Sequence, residues 1–213
     1  MQCIGPVRRR RKCTANEPVA VDCRGRMTPT TLGELLHWSY ANLAMAHAAV
    51  ASGSSKYRRL DFMIRARLFK GLRTGSMSIV SMLDDERTKL LSTGCCYCGK
   101  QRPLSLDHMI PSIRGGSDSS DNVVWSCRPC NSSKGGRDML QWFAQRGEFP
   151  PLLLRRYLKL ALAAAEAANA MDVPLGALPE LPMLPSEIPT RFPQPGELVL
   201  EVGRPGGHGA QPA

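Results

Sequence analysis

Apolar positions recur along this chain in two rhythms, and the change between them divides it. Over residues 28–94 the rhythm is helical. Leu32, Leu36, Leu43 and Ala44 share one face of a segment that opens at Thr28-Pro29 and stops at Ser52-Gly53-Ser54-Ser55. A Thr cap with Pro in the first turn favours a helix start, and the Gly-Ser run ends it. Leu60, Ile64, Leu68 and Leu72 repeat every four residues and predict a core stripe on a second helix over 56–72. Ile79, Met82, Leu83, Leu90 and Leu91 predict a third over 78–91.

Over residues 95–147 the rhythm shortens. Leu104 to Met109 and Asn122 to Cys127 alternate as short strands, parted by Pro111, Gly115-Gly116 and a polar run at 117–121. Met139, Leu140, Trp142 and Phe143 then return to helical spacing. The order is β-loop-β-α. After Pro150-Pro151 a Leu/Ala-rich stretch predicts a last helix within 148–171, which Arg155, Arg156 and Lys159 mark for packing on the body rather than insertion in a membrane. Nine of the 17 prolines fall in 172–213, with Phe192 the sole aromatic there, so that stretch is expected to be a disordered Pro-rich tail. Residues 1–27 have no period and carry Arg8 to Arg11, Lys12, Arg24 and Arg26, a flexible basic arm. The expected class is α+β: a compact 95–147 centre, a helical region at 28–94, a helix at 148–171 and two disordered ends.

Charge narrows the partners. The net charge is +10 and the sequence pI about 9.5, which favours a polyanion, nucleic acid first. No apolar run reaches the ~18–20 residues of a membrane span, and none follows the basic cluster at 8–12 as it would in a secretory leader. The chain is therefore expected in the cytoplasm, where its eight cysteines read as metal ligands rather than disulfides.

Two C-x-x-C pairs, Cys95/Cys98 and Cys127/Cys130, have the spacing of a four-thiolate structural zinc site. Cys96 leaves open an alternative to Cys95. Cys3, Cys13 and Cys23 form no such pair. His37 and His47 lie ten residues apart, on different faces of one helix, and read as ordinary helix residues. Adjacent acids Asp84-Asp85-Glu86 do not share a helix face and read as solvated. The basic face containing Arg59, Lys70 and Arg73, with Arg58 and Arg65 beside it, fits either a solvated surface or a DNA backbone. Between the cysteine pairs lies Asp107-His108, by itself no more than a hydrogen-bonded structural unit. Asn131, directly after Cys130, is by itself no more than a helix cap.

Taken together, Asp107-His108, Pro111, Gly115-Gly116, Asn122, Cys127-x-x-Cys130-Asn131 and Lys134 resemble the HNH endonuclease family, of the ββα-metal fold with a four-cysteine zinc site. The resemblance implies that His108 is the general base that deprotonates the attacking water. It implies that Asp107 and Asn131 hold one catalytic Mg²⁺ or Mn²⁺, which stabilises the phosphorane and the leaving group, and that Asn122 braces the loop between the strands. Arg114, Arg128 and Lys134 are the phosphate-contact candidates. Asp107 and Asn131 stand where the family name has histidines, leaving one charged protein ligand for the cation. Since adjacent strand residues face opposite ways, Asp107 and His108 need a bulged strand to serve one site. DNA is the expected substrate, with RNA second; oligomeric state stays open. The rival reading is a non-catalytic zinc-ribbon DNA-binding protein.

Overall fold

The computed structural model describes residues 20–21, 27–79, 94–200 and 206–207. Strands β1 (Ala20–Val21) and β2 (Met27–Thr28) pair antiparallel ahead of helix α1 (Leu32–Ala51). Helix α2 (Arg59–Arg73) folds back on α1. Strands β3 (Leu104–His108) and β4 (Val123–Cys127) form an antiparallel hairpin, and helix α3 (Arg128–Lys134) follows β4 directly. Helix α4 (Met139–Gln145) leads to β5 (Glu148–Phe149), which pairs with β6 (Gly206–Gly207), and α5 (Pro151–Ala167) returns against α1. This is the expected α+β class with its ββα centre. Most of the basic arm and of the helix predicted over 78–91, with Asp84-Asp85-Glu86, lies outside the described residues, as do Cys3, Cys13 and Cys23. Among the described residues no helix is long and apolar enough to cross a membrane.

Local chemistry moves two helix starts. Helix α1 begins at Leu32 because Thr31, not Thr28, caps it. The Thr31 hydroxyl accepts the Glu34 N–H at 3.3 Å, and the Glu34 carboxylate accepts the Thr30 N–H and hydroxyl at 2.9 and 2.8 Å. Helix α2 starts at Arg59 rather than 56, because the Asp61 carboxylate accepts the Arg58 N–H at 2.7 Å and closes the first turn there. The stripe of Leu60, Ile64, Leu68 and Leu72 expected on α2 does not form. A four-residue repeat drifts by about 40° per step on a 3.6-residue helix, so Leu60 and Leu72 lie about 120° apart. Leu72 and Phe69 are buried, while Leu60 is 59% exposed.

One hydrophobic cluster crosses the boundaries expected at 94/95 and 147/148. It joins Leu36 and Tyr40 of α1, Met109 and Val124 of the hairpin, Trp142 and Phe143 of α4, and Leu154, Tyr157 and Leu158 of α5.

The Pro-rich segment corrects the expectation of a disordered tail as far as Leu200. Leu181, Met183, Ile188 and Leu198 are buried. The first N–H groups of α1, which have no partner inside the helix, donate to the chain where this segment begins: Leu32 to the Val173 carbonyl at 3.1 Å, and Gly33 to that of Met171, just before it, at 2.8 Å. Prolines remove donors but do not prevent an irregular segment from burying apolar side chains at intervals. Each of those four is worth about 1.5–3 kcal/mol of burial. Truncation after residue 171 is therefore expected to lower the thermal unfolding midpoint by at least about 10 °C. Calorimetry checks this, and an unchanged midpoint would show the segment to be dispensable.

Candidate metal centre and active-site hairpin

The two C-x-x-C turns meet because the first is bonded to the strand that carries the second. The Cys96 N–H donates to the Trp125 carbonyl at 2.8 Å, and the first turn is closed by Gly99 N–H to the Cys95 carbonyl at 2.8 Å. Cys127 ends β4 and Cys130 lies in the first turn of α3. The sulfurs of Cys95, Cys98, Cys127 and Cys130 all lie within 4.8 Å of one another. Tetrahedral zinc with Zn–S bonds of about 2.3 Å requires sulfurs roughly 3.8 Å apart, and Cys98 Sγ lies 3.8 Å from Cys127 Sγ. The donor set fits zinc, and four sulfurs around one ion would leave no open position on it. Cys96 is buried but outside the cluster, which decides between it and Cys95. Burial pushes the Cys95 and Cys130 thiols up. At Cys127 burial acts the same way but is outweighed by hydrogen bonds from Cys130, Cys95 and Cys98, so that thiol ionises most readily of the three.

Behind the hairpin, Asp107 is engaged on both oxygens. Its Oδ2 accepts the Tyr97 hydroxyl at 2.8 Å and its Oδ1 pairs with Lys134 Nζ at 3.1 Å. Tyr97 sits inside the first cysteine turn and packs edge-on against Trp142, with centroids 5.2 Å apart. Burial, then the Asp107 charge, hold its phenol well above the ordinary range, so it remains a donor. Lys134 has a relative exposure of 1%. This corrects its expected phosphate contact: a buried ammonium clamped on Asp107 does not reach a polymer in solvent. Breaking a buried ion pair from one side costs about 3–5 kcal/mol. Lys134→Met is therefore expected to destabilise the protein by that amount in urea unfolding. Unchanged stability with weakened DNA binding would restore the phosphate role.

His108 lies on the other side of the strand. The β3–β4 ladder runs without interruption from Leu104↔Cys127 to His108↔Val123, so the expected bulge is absent and neighbours alternate. The His108 side chain is 30% exposed, and its Nε2 lies 2.7 Å from Oδ1 of Asp118, an exposed loop residue. Leu106 and Trp125, opposite one another on β3 and β4, are also exposed.

Asn122 joins the two ends of the loop from within. Its Oδ1 accepts the Ile110 N–H at 2.9 Å, and its Nδ2 donates to the carbonyls of Ile110 and Ser117 at 2.8 and 2.9 Å. Gly115 has φ +86°, and a Cβ on Gly116 would overlap the Ile110 carbonyl oxygen, so the Gly-Gly pair is required by this turn. Arg156 of α5 donates to the carbonyls of Asp121, at 2.6 Å, and Ser120, fastening the far side of the loop.

Asn131 faces β3 from α3, with Nδ2 3.3 Å from Ser105 Oγ and 3.5 Å from the Leu106 carbonyl. Asn131 and Lys134 are three residues apart and thus share the α3 face that packs on Ser105 and Asp107. A catalytic cation does not fit this arrangement, because the one carboxylate expected to hold it is occupied by an ammonium and a phenol. Of the remaining phosphate candidates, Arg128 is exposed, and Arg114 is exposed with its Nε 3.3 Å from the Pro182 carbonyl. The structure thus unites the four cysteines, Asn122 with its loop, and Asp107 with Lys134. It separates Asp107 from His108. Tyr97 and Asp118 were not singled out in the sequence; nothing in the spacing of a lone Tyr or a loop Asp marks them.

Residues 95–139 match the family model described as HNH endonuclease, the same span that carries the four-cysteine cluster. The match covers about a fifth of the chain. No curated protein and no solved structure matches the chain. The motif resemblance therefore holds for this span, and its family description points to a nuclease acting on nucleic acid.

Proposed function

We propose that this protein is an endonuclease that hydrolyses phosphodiester bonds of DNA, with His108 as general base. The observation that carries the reading is the 2.7 Å contact of His108 with Asp118 on the open side of a hairpin within the HNH-matching span. An ionised Asp118 only accepts hydrogen bonds, so Nε2 carries the imidazole proton and the lone pair is on Nδ1. That nitrogen takes a proton from water as the oxygen attacks phosphorus in line, and the P–O3′ bond breaks with the leaving oxygen gaining a proton. An exposed base suits a polymer that lies across the surface. Arg114 and Arg128 are the proposed phosphate contacts, and Asn122 holds the loop that carries Asp118.

The test is incubation of supercoiled plasmid with the zinc-loaded protein, with and without Mg²⁺ or Mn²⁺, beside a labelled RNA of matched length. Nicked or linear DNA supports the reading, and preferential RNA cleavage would reassign the substrate. A requirement for Mg²⁺ or Mn²⁺ would mean that Asp107 exchanges Lys134 for the cation when DNA is bound. The engagement of both Asp107 oxygens favours a second reading, a zinc-ribbon protein that binds DNA without cutting it. Plasmid that is retarded on a gel but left supercoiled in every cation supports that one.

A further inference from the structure

A cavity of about 930 Å³ lies among α1, the first half of α2 and the segment 190–194, away from the cysteine cluster in sequence and in its lining. Its walls present the rings of Trp38, Tyr57, Phe62 and Phe192 and the guanidinium groups of Arg65 and Arg191. The Arg65 guanidinium already lies over the Trp38 ring at 4.5 Å and over Phe62 at 5.1 Å. Two of the rings are held in place by the neighbouring chain. Trp38 Nε1 donates to the Thr190 carbonyl at 3.2 Å and meets Phe69 edge-on at 5.3 Å, and the Tyr57 hydroxyl donates to the Pro193 carbonyl at 2.8 Å.

Arg65 has an unmet need. One of its terminal nitrogens donates to Asn42 Oδ1 at 3.1 Å, while its buried Nε has no acceptor among the described residues. A buried guanidinium donor without an acceptor is costly and is relieved by a ligand that brings one. The surrounding charge indicates the kind. The lining carries two cations, Arg65 and Arg191, and no acid.

Flat aromatic rings and two guanidinium groups together match a nucleobase joined to a phosphate. An acidic peptide would satisfy the charge but offers no flat group to the rings. A Pro-rich peptide would suit the rings but brings no anion to the two guanidinium groups. A duplex keeps its base faces stacked on one another and cannot offer them. We propose that this groove binds an unpaired nucleotide within a single-stranded stretch of nucleic acid, so that the protein selects substrates bearing unpaired bases. The inference rests on the nuclease reading for the use made of the bound strand; the groove's own chemistry carries the binding.

The experiment measures anisotropy of fluorescein-labelled oligothymidylate, oligouridylate and a duplex of equal length. It uses the full-length zinc-loaded protein carrying His108→Ala, without added divalent cation, so that nothing is cut. Single strands are expected to bind more tightly than the duplex, and the two single-stranded arms separate DNA from RNA as the source. Phe62→Ala, at a 43% exposed position, and Arg191→Ala are each expected to weaken binding of the single strand by about tenfold. Binding should quench tryptophan fluorescence, and Trp38→Phe should remove the part of the quench that the groove causes while any part from exposed Trp125 on the hairpin remains. Equal affinity of both variants and wild type for single strands overturns the proposal, as does a duplex that binds as tightly and quenches Trp38. Phe62-dependent binding of an acidic peptide in place of the oligonucleotide also overturns it. Groove-dependent binding by a protein that leaves plasmid intact sinks the nuclease reading and keeps this one; cleavage with no effect of Phe62→Ala on any substrate does the reverse.

Discussion

Replacing His108 with alanine is expected to lower plasmid cleavage by about 10²–10⁴-fold, the range that a positioned general base contributes. The side chain is 30% exposed, and its partner is Asp118, itself 89% exposed. No buried group is orphaned by its removal. Zinc content, melting temperature and retardation of DNA on a gel should therefore stay at wild-type values, and this separates a chemical role from a structural one. Asp118→Asn should act more mildly, since an amide keeps the contact but can stabilise either imidazole tautomer. Single-turnover rates on plasmid, with each variant checked for zinc, measure both effects. If His108→Ala cuts as fast as wild type, the base has been wrongly assigned; if neither protein cuts but both bind, the zinc-ribbon reading prevails.

The second large effect is expected at the metal. Cys127→Ser should lose the zinc and unfold the centre around it, because a serine hydroxyl does not supply the thiolate that zinc selects. Structural zinc contributes roughly 10–16 kcal/mol in small zinc domains, more than the stability of most domains. Cys127 has further structural duties: it closes the ladder opposite Leu104 and stands immediately before α3, whose inner face holds Asn131 and Lys134. Loss of the metal should therefore release Lys134 from Asp107. Hydrogen exchange is expected to rise first over β3, β4 and α3, and a chelator acting on the wild type should reproduce the pattern. Because the thiols must lose protons to bind zinc, and burial raises those of Cys95 and Cys130, retention of the metal should weaken as the pH falls. Unchanged zinc content and melting in Cys127→Ser would overturn the four-sulfur assignment.

The chemistry of the centre was legible because it is local. A C-x-x-C turn puts two sulfurs on one side of a knuckle whatever the rest of the chain does. Asn122 lies twelve residues from Ile110 across a hairpin that Gly115 and Gly116 are required to close. By contrast, the helix starts shifted by a few residues, because Thr31 and Glu34 close the first turn of α1 and Asp61 that of α2 through side-chain bonds that the apolar pattern does not show. The stripe on α2 failed for a geometric reason, since a spacing of four looks like a face over one turn and spirals away over three.

The sequence by itself determined the two C-x-x-C pairs, the ββα order and the presence of a His beside a carboxylate, because each depends on spacing within a few residues or on one hairpin; the tertiary structure chose Cys95 over Cys96. Tertiary structure decided what those groups face. Docking of α3 on β3 turned Lys134 from a phosphate candidate into the partner of Asp107, and it enlisted Tyr97 from the first cysteine turn. An unbroken ladder sent His108 to the open side, where a loop residue ten positions on, Asp118, meets it. The Pro-rich segment, poor in every local signal, became part of the core because α1 offered unpaired N–H groups and an apolar surface. Burial and ion pairing are set by whichever element arrives opposite, and that depends on the whole fold.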